Sequence, residues 1–172
     1  GGWRGWLMAS VAIREKHDGK LGRSANVRLW LRLLSCTMVI EKQVRRGFAE
    51  RFDTTLPRFD VLAALARHPE GMTMGALSRS LLVSNGNVTG VVQKLIRDGF
   101  ATLETSPDDR RASVARLSEA GLGYFEALAD AHHGWIDEML CGLSDGEREQ
   151  LFAGLGALKV SLAHATPADP QR

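Results

Sequence analysis

At Phe100 the hydrophobic period of the sequence changes. From residue 25 onward, apolar residues recur every three or four positions, as they do on one face of a helix. In FATLETS (100–106) and SVARLS (113–118) the pattern shortens toward alternation, which reads as two strands. The intervening PDDRRA (107–112) is polar and charged, as a solvent-facing turn should be. Helical periodicity resumes at residue 119. A chain with one small hairpin between helical stretches has few architectures open to it. The expected class is mainly α with a small β-hairpin wing (α+β).

The helices are delimited by local signals. Val27, Leu31, Leu34 and Met38 step by 4, 3 and 4, and Val44, Phe48 and Phe52 continue in fours. Trp30 and Leu33 widen that stripe, so residues 25–52 read as one long helix. FDTTLP breaks it, and Pro57 suits the first turn of a helix over 57–67, with Phe59, Leu62, Ala63 and Leu65 or Ala66 inward. Pro69 and Gly71 end that helix. Thr73 is placed to cap MGALSRSLL, and Ser84 to cap a helix whose inward residues are Val88, Val91, Val92, Leu95 and Ile96. Gly99 is placed as the residue that stops it. After Ser118 a helix over 119–141 carries Leu122, Phe125, Ala129, His132 or His133, Ile136, Met139 and Leu140 on its stripe. Ser144 and Glu147 spell a capping box for a last helix, where Leu151, Leu155, Leu158 and Leu162 repeat 4, 3, 4.

Charge and composition exclude several classes. Of 172 residues, 44% are hydrophobic and 24% charged, which are globular values. No window approaches ~18 uninterrupted apolar residues, so no transmembrane helix is expected. Two cysteines, Cys36 and Cys141, make neither a disulfide scaffold nor a four-cysteine zinc site. Residues 1–20 contain a short apolar stretch cut by charges, which argues against a secretory signal; Met8 is an alternative start. The default compartment is the cytoplasm. The net charge of +2 conceals a gradient: +6 over residues 1–57, +2 over 58–117 and −6 over 118–172. The two ends can attract each other, within a chain or between chains.

Catalytic motifs are missing. There is no G-x-S-x-G, P-loop or H-E-x-x-H. The pairs Gly121/Gly123 and Gly154/Gly156 lie inside helical patterns without a preceding strand. His132 and His133 are adjacent, so on a helix they point about 100° apart and do not converge on a metal. No enzyme activity, cofactor or metal is expected.

The order of elements describes a winged helix-turn-helix. The major groove of B-DNA admits one helix. The helix after Ser84 would present Gly86, Gly90, Gln93 and Arg97 outward, flanked by Asn85, Asn87, Thr89 and Lys94. Its N-terminal amides favour a phosphate, and Asn and Gln suit adenine edges. A charged hairpin tip with Arg110 and Arg111 suits a narrow minor groove. The long flanking helices carry more apolar stripe than one lobe covers, which points to a dimer reading two related half-sites. The expected division is a flexible arm (1–24), a dimerisation helix (25–56), a DNA-binding lobe (57–118), dimerisation helices (119–165) and a tail (166–172).

Residues 56–121 resemble the MarR family of bacterial transcriptional regulators. VSNGNVTGVVQKL is similar to the family's recognition helix, and DDRRASVARLSEAG to its wing, with Asp108 and Arg110 in the D-x-R positions. The resemblance extends over about residues 25–165. It implies a homodimer that binds a pseudo-palindromic double-stranded operator and acts in the bacterial cytoplasm at the nucleoid, with no membrane partner. It further implies a repressor released by a small effector, aromatic, anionic or an aryl-CoA thioester, and a role in aromatic compound catabolism. Expected DNA-contacting residues are Ser84, Asn85, Asn87, Thr89, Gln93, Lys94, Arg110 and Arg111. Trp30, Met38, Arg58 and Trp135 are the candidates for contact with the effector. Many relatives have Arg where this chain has Gly90, so operator specificity does not carry over. Two alternatives stand beside this: a thiol- or oxidant-responsive regulator acting through Cys36, and a winged helix used only for protein–protein contact. Cys36 lies mid-helix and Tyr124 is the sole tyrosine, which favours packing roles for Cys36 and Cys141.

Overall fold

The computed structural model describes residues 24–81, 85–105 and 113–165, and for 85–87 and 165 the backbone only. The order is α1 (Ala25–Phe52), α2 (Leu56–Ala66), β1 (Met72–Thr73), α3 (Met74–Leu81), α4 (Asn85–Arg97), β2 (Ala101–Thr105), β3 (Ser113–Leu117), α5 (Glu119–Leu140) and α6 (Asp145–Ala165). The chain divides into two compact units, one up to Trp135 and one from Ile136 onward.

Helix ends follow local chemistry. Ser24 accepts from the Asn26 amide at the start of α1. At its end Asp53 takes a left-handed conformation, which a short polar side chain tolerates, and the Thr54 amide donates to the Phe48 carbonyl. Pro57 sits in the first turn of α2. The Ala76 amide donates to the Thr73 hydroxyl at the start of α3. Gly99 takes φ +79°, as a helix-stopping residue does. Ser144 and Glu147 form the reciprocal capping box that opens α6: the Ser144 amide donates to the Glu147 carboxylate, and the Glu147 amide to the Ser144 hydroxyl.

The sheet has three strands in the order β1-β3-β2, all antiparallel. Ala101 faces Leu117, Leu103 faces Ala115 and Thr105 faces Ser113 across the hairpin. The third strand, β1, is two residues long and pairs Met72 with Ala115 and Thr73 with Val114. Two residues are too few to display a period, so the sequence shows only the cap at Thr73 there.

The core of the larger unit is built from Leu31, Val44, Phe48, Phe59, Val61, Leu62, Leu65, Leu77, Val88, Val92, Leu95, Leu128 and Trp135. Three packing expectations are corrected. On α1, Val27, Trp30 and Met38 are exposed; the buried residues are Leu31, Ser35, Val44, Gly47 and Phe48. On α5, Leu122 is exposed and the buried line is Gly121, Leu128 and Trp135, spaced by seven. The reason is two close approaches: Gly121 lies against the Phe100 backbone and Trp135 against Gly47, and these set the rotation of the helix. Cys36 and Cys141 are both exposed free thiols rather than packed side chains.

Candidate nucleic-acid interface

Helix α4 packs on α2 and α3. Its contact ridge is Val88, Val92 and Leu95, each at most 1% exposed, with Val91 and Ile96 partly covered. Burying such side chains contributes ~1.5–3 kcal/mol each, enough to hold one helical face against the lobe. The opposite face is therefore dictated by the 3.6-residue period, and it is polar. Thr89, Gly90, Gln93, Lys94 and Arg97 are exposed. No heavy atom lies within 4 Å of where a Cβ on Gly90 would sit, so the backbone there is open to a close approach. Asn85 and Asn87 lie in the first turn of α4, where free helical amides and the dipole favour an anion.

Strands β2 and β3 bracket residues 106–112. Ser84, Arg110 and Arg111 lie outside the described residues. The root of the hairpin is held by Arg116, which donates to Glu104 at 2.5 Å across the two strands and to the Glu70 carbonyl at 2.9 Å. The second bond ties the hairpin to the loop before β1. Sequence reasoning missed this clamp. The signal available was a pair of opposite charges on the two arms of a hairpin, but their diagonal placement depends on the strand register, which a period of two does not fix by itself.

The four effector candidates have different settings. Trp30 and Met38 are 58% and 53% exposed on α1, and eight residues of helix separate them by ~12 Å. Trp135 is buried in an aromatic cluster, edge-on to Phe48 at 5.1 Å and to Phe52 at 6.4 Å. His132 stacks in the same cluster on Phe48 and lies 4.9 Å from the Phe59 ring. Burial there, and then the neighbouring His133, hold the His132 pKa below its ordinary value. Arg58 is engaged by Asp98. Asp60, half-buried on α2, has its carboxyl pushed up by desolvation, opposed by Arg45. Among the described residues there is no group of three or more potential metal ligands, and no helix is long and apolar enough to cross a membrane.

A buried-ridge helix displayed beside a three-stranded wing is a shape shared with known regulators. The MarR family model matches residues 52–112. A crystal structure of a MarR family transcriptional regulator from Silicibacter pomeroyi superposes with a TM-score of 0.69 at 34% identity, over 80% of this chain and 94% of that one. This chain belongs to the MarR family. It is thus a DNA-binding transcriptional regulator and not an enzyme. It is 34% identical over 121 residues to the transcriptional activatory protein BadR of Rhodopseudomonas palustris, spanning 69% of this chain and 67% of that protein. It is 35% identical over 127 residues to the uncharacterized HTH-type transcriptional regulator YkoM of Bacillus subtilis, spanning 73% and 80%. The MarR match includes all of α2 to β2 and runs on to residue 112, past Arg110 and Arg111.

Proposed function

We propose that this MarR-family chain is a homodimer that reads two related DNA half-sites, with α4 in the major groove and the 106–112 turn in the adjacent minor groove. One observation carries the reading: α4 buries an apolar ridge and turns a polar face, with Gly90 bare, away from the lobe. Asn85, Asn87, Thr89 and Gln93 are the base-reading candidates, while Ser84 and Lys94 suit phosphates. Arg110 and Arg111 are the minor-groove candidates.

The flanking helices supply the support for a dimer. Leu29, Trp30 and Met38 on α1 and Leu151, Phe152 and Leu162 on α6 are exposed apolar side chains. In the unit from Ile136 onward, Leu140, Leu143, Leu151, Phe152 and Leu155 line a groove of about 520 Å³. Large apolar side chains exposed along a helix in each unit mark a surface for a partner. Residues 25–56 and 119–165 then serve as dimerisation segments and 57–118 as the DNA-binding lobe. Likeness to the family supports a small aromatic or anionic compound as the signal. The same likeness supports repression as the mode of control, while the relative BadR is named an activatory protein.

The test is a mobility shift of the purified protein on the intergenic DNA flanking its gene, at physiological salt, with and without aromatic acids and their CoA thioesters. Nanomolar binding that one compound abolishes is the expected result. Binding that ignores every compound removes the effector part. No binding to that DNA or to genomic fragments overturns the DNA-reading arrangement.

A further inference from the structure

The turn that follows α4 is gripped from several sides. The Arg58 guanidinium, in the first turn of α2, donates to the Asp98 carboxylate at 2.5 Å. The Arg58 side chain is only 17% exposed, and its Nε is buried without a partner among the described residues. One residue on, the Ser118 hydroxyl donates to the Gly99 carbonyl at 2.7 Å, and the Ser118 amide to the Phe100 carbonyl at 3.1 Å. The Phe100 ring stacks on Tyr124 at 4.3 Å, and the Tyr124 hydroxyl donates to the Phe52 carbonyl at the end of α1. Ser118 and Tyr124 hold the backbone and ring beyond the helix. Asp98 is the residue that follows the last one of α4, and it is held from α2.

The ridge of Val88, Val92 and Leu95 seats α4 on α2 and α3 through apolar contacts, which are non-directional. It fixes the distance of a helix from its neighbours better than its tilt. Helix α4 has 13 residues and is ~20 Å long. A tilt of ~10° about the middle of the ridge would swing each end of the helix by ~2 Å, whereas recognition tolerates ~0.5 Å. A charged tether that holds the C-terminal end, off the ridge, opposes this swing. A planar, partly buried guanidinium supplies direction as well as charge.

We propose that Arg58 is a positioning residue for DNA recognition: by holding Asp98 it sets the tilt at which α4 presents Thr89, Gln93 and Lys94. The inference rests on α4 being the recognition helix. It assigns Arg58 no contact with DNA. A phosphate contact and a positioning residue have different signatures. Loss of a phosphate contact weakens binding to every sequence and lowers the salt dependence by about one ion. Loss of a tether weakens the preferred sequence and leaves random DNA and the salt slope alone.

The experiment uses the full chain with a duplex that the protein selects from a random-sequence pool, against a random duplex of equal length. Arg58→Ala and Asp98→Ala are each expected to weaken the selected duplex at least tenfold, with random DNA within twofold and the salt slope unchanged. Retained random-DNA binding and helical circular dichroism show that the variants are folded. The double variant is expected to bind no worse than the weaker single, because each change breaks the same pair. Single effects that multiply, an unchanged affinity for the selected duplex, or a uniform loss with a reduced slope would each overturn the assignment. Asn87→Ala and Gln93→Ala separate the two levels. If they relax sequence preference while Arg58→Ala does not, the tether alone is wrong. If none of the four single variants changes preference, or no duplex is selected, the recognition-helix reading fails and the tether with it.

Discussion

A Cβ placed on Gly121 would lie 1.9 Å from the carbonyl oxygen of Phe100. That oxygen already accepts from the Ser118 amide, so it is not free to retreat. Gly121→Ala sets two effects against each other. Alanine favours a helix by up to ~1 kcal/mol over glycine. Overpacking against backbone costs ~1–3 kcal/mol and more where nothing yields. The collision wins, with an expected net loss of ~2 kcal/mol and a fall in Tm of ~4–8 °C. Gly123→Ala is the internal control, since nothing lies within 4 Å of its Cβ position; it should be neutral or raise Tm slightly. Thermal denaturation of both variants checks the pair.

That contact also marks what was legible in the sequence. Gly99, the Thr73 cap and the Ser144–Glu147 box were readable because each depends on residues at most a few positions apart. The hairpin was readable because its period is local. The rotation of α5 was not, because Gly121 meets Phe100 and Trp135 meets Gly47, partners 21 and 88 positions away. The Arg58–Asp98 pair, 40 positions apart, was invisible for the same reason, and Arg58 on its own looked like a free cation for a ligand. Trp30 and Met38 fitted an inward stripe because helical periodicity reports an apolar face and is silent on whether this chain or another covers it.

Gly90 separates stability from recognition. Its Cβ position is open in the protein alone, so Gly90→Ala should raise stability by ~1 kcal/mol through helix propensity. If the α4 backbone approaches DNA as proposed, the same methyl meets the groove wall and binding weakens. The expected outcome is a higher Tm together with a several-fold lower affinity for the selected duplex. Equal affinity would mean that the DNA stays clear of the Gly90 face.

The wing and the helix should differ in kind. Arg110→Ala is expected to weaken binding to all duplexes and to reduce the salt slope by ~1. Asn87→Ala is expected to relax discrimination at one base pair by ~1–3 kcal/mol. Titrations at several salt concentrations on the selected duplex and its single-base variants distinguish the two. An Arg110→Ala protein with unchanged affinity would remove the turn from the interface.

His132 gives the protein an acid-sensitive term. Burial holds its folded pKa below 6.5, so the unfolded chain takes up the proton first as pH falls. Stability from this group is therefore intact above pH 6.5 and declines as pH drops through that value toward the lowered folded pKa. Asp60 has the opposite sign in a lower window: its raised pKa means that stability declines as pH rises from 3.8 through the raised value. His132→Phe retains a ring beside Phe48 and Phe59 without a proton to bind. Comparing Tm at pH 7.5 and 5.5, the variant should lose less than the wild type. Equal losses would mean that His132 titrates alike in both states.

Phe152 tests the assembly. It is 82% exposed on α6, beside the apolar groove lined by Leu151 and Leu155. Covering a phenylalanine contributes ~1.5–3 kcal/mol, and a two-fold interface counts every contact twice. Phe152→Glu removes that term from both copies and adds a charge to desolvate, so the dimer should weaken by ~3–6 kcal/mol, about two to four orders of magnitude. Sedimentation at micromolar concentration should then show monomer where the wild type is expected to sediment as a dimer. Operator affinity should fall with it, because two half-sites are no longer bound by one particle. Random-duplex binding by a single lobe should persist. If Phe152→Glu remains a dimer, the exposed face of α6 is not the surface that pairs the two copies, and the dimer contact moves to the apolar residues of α1.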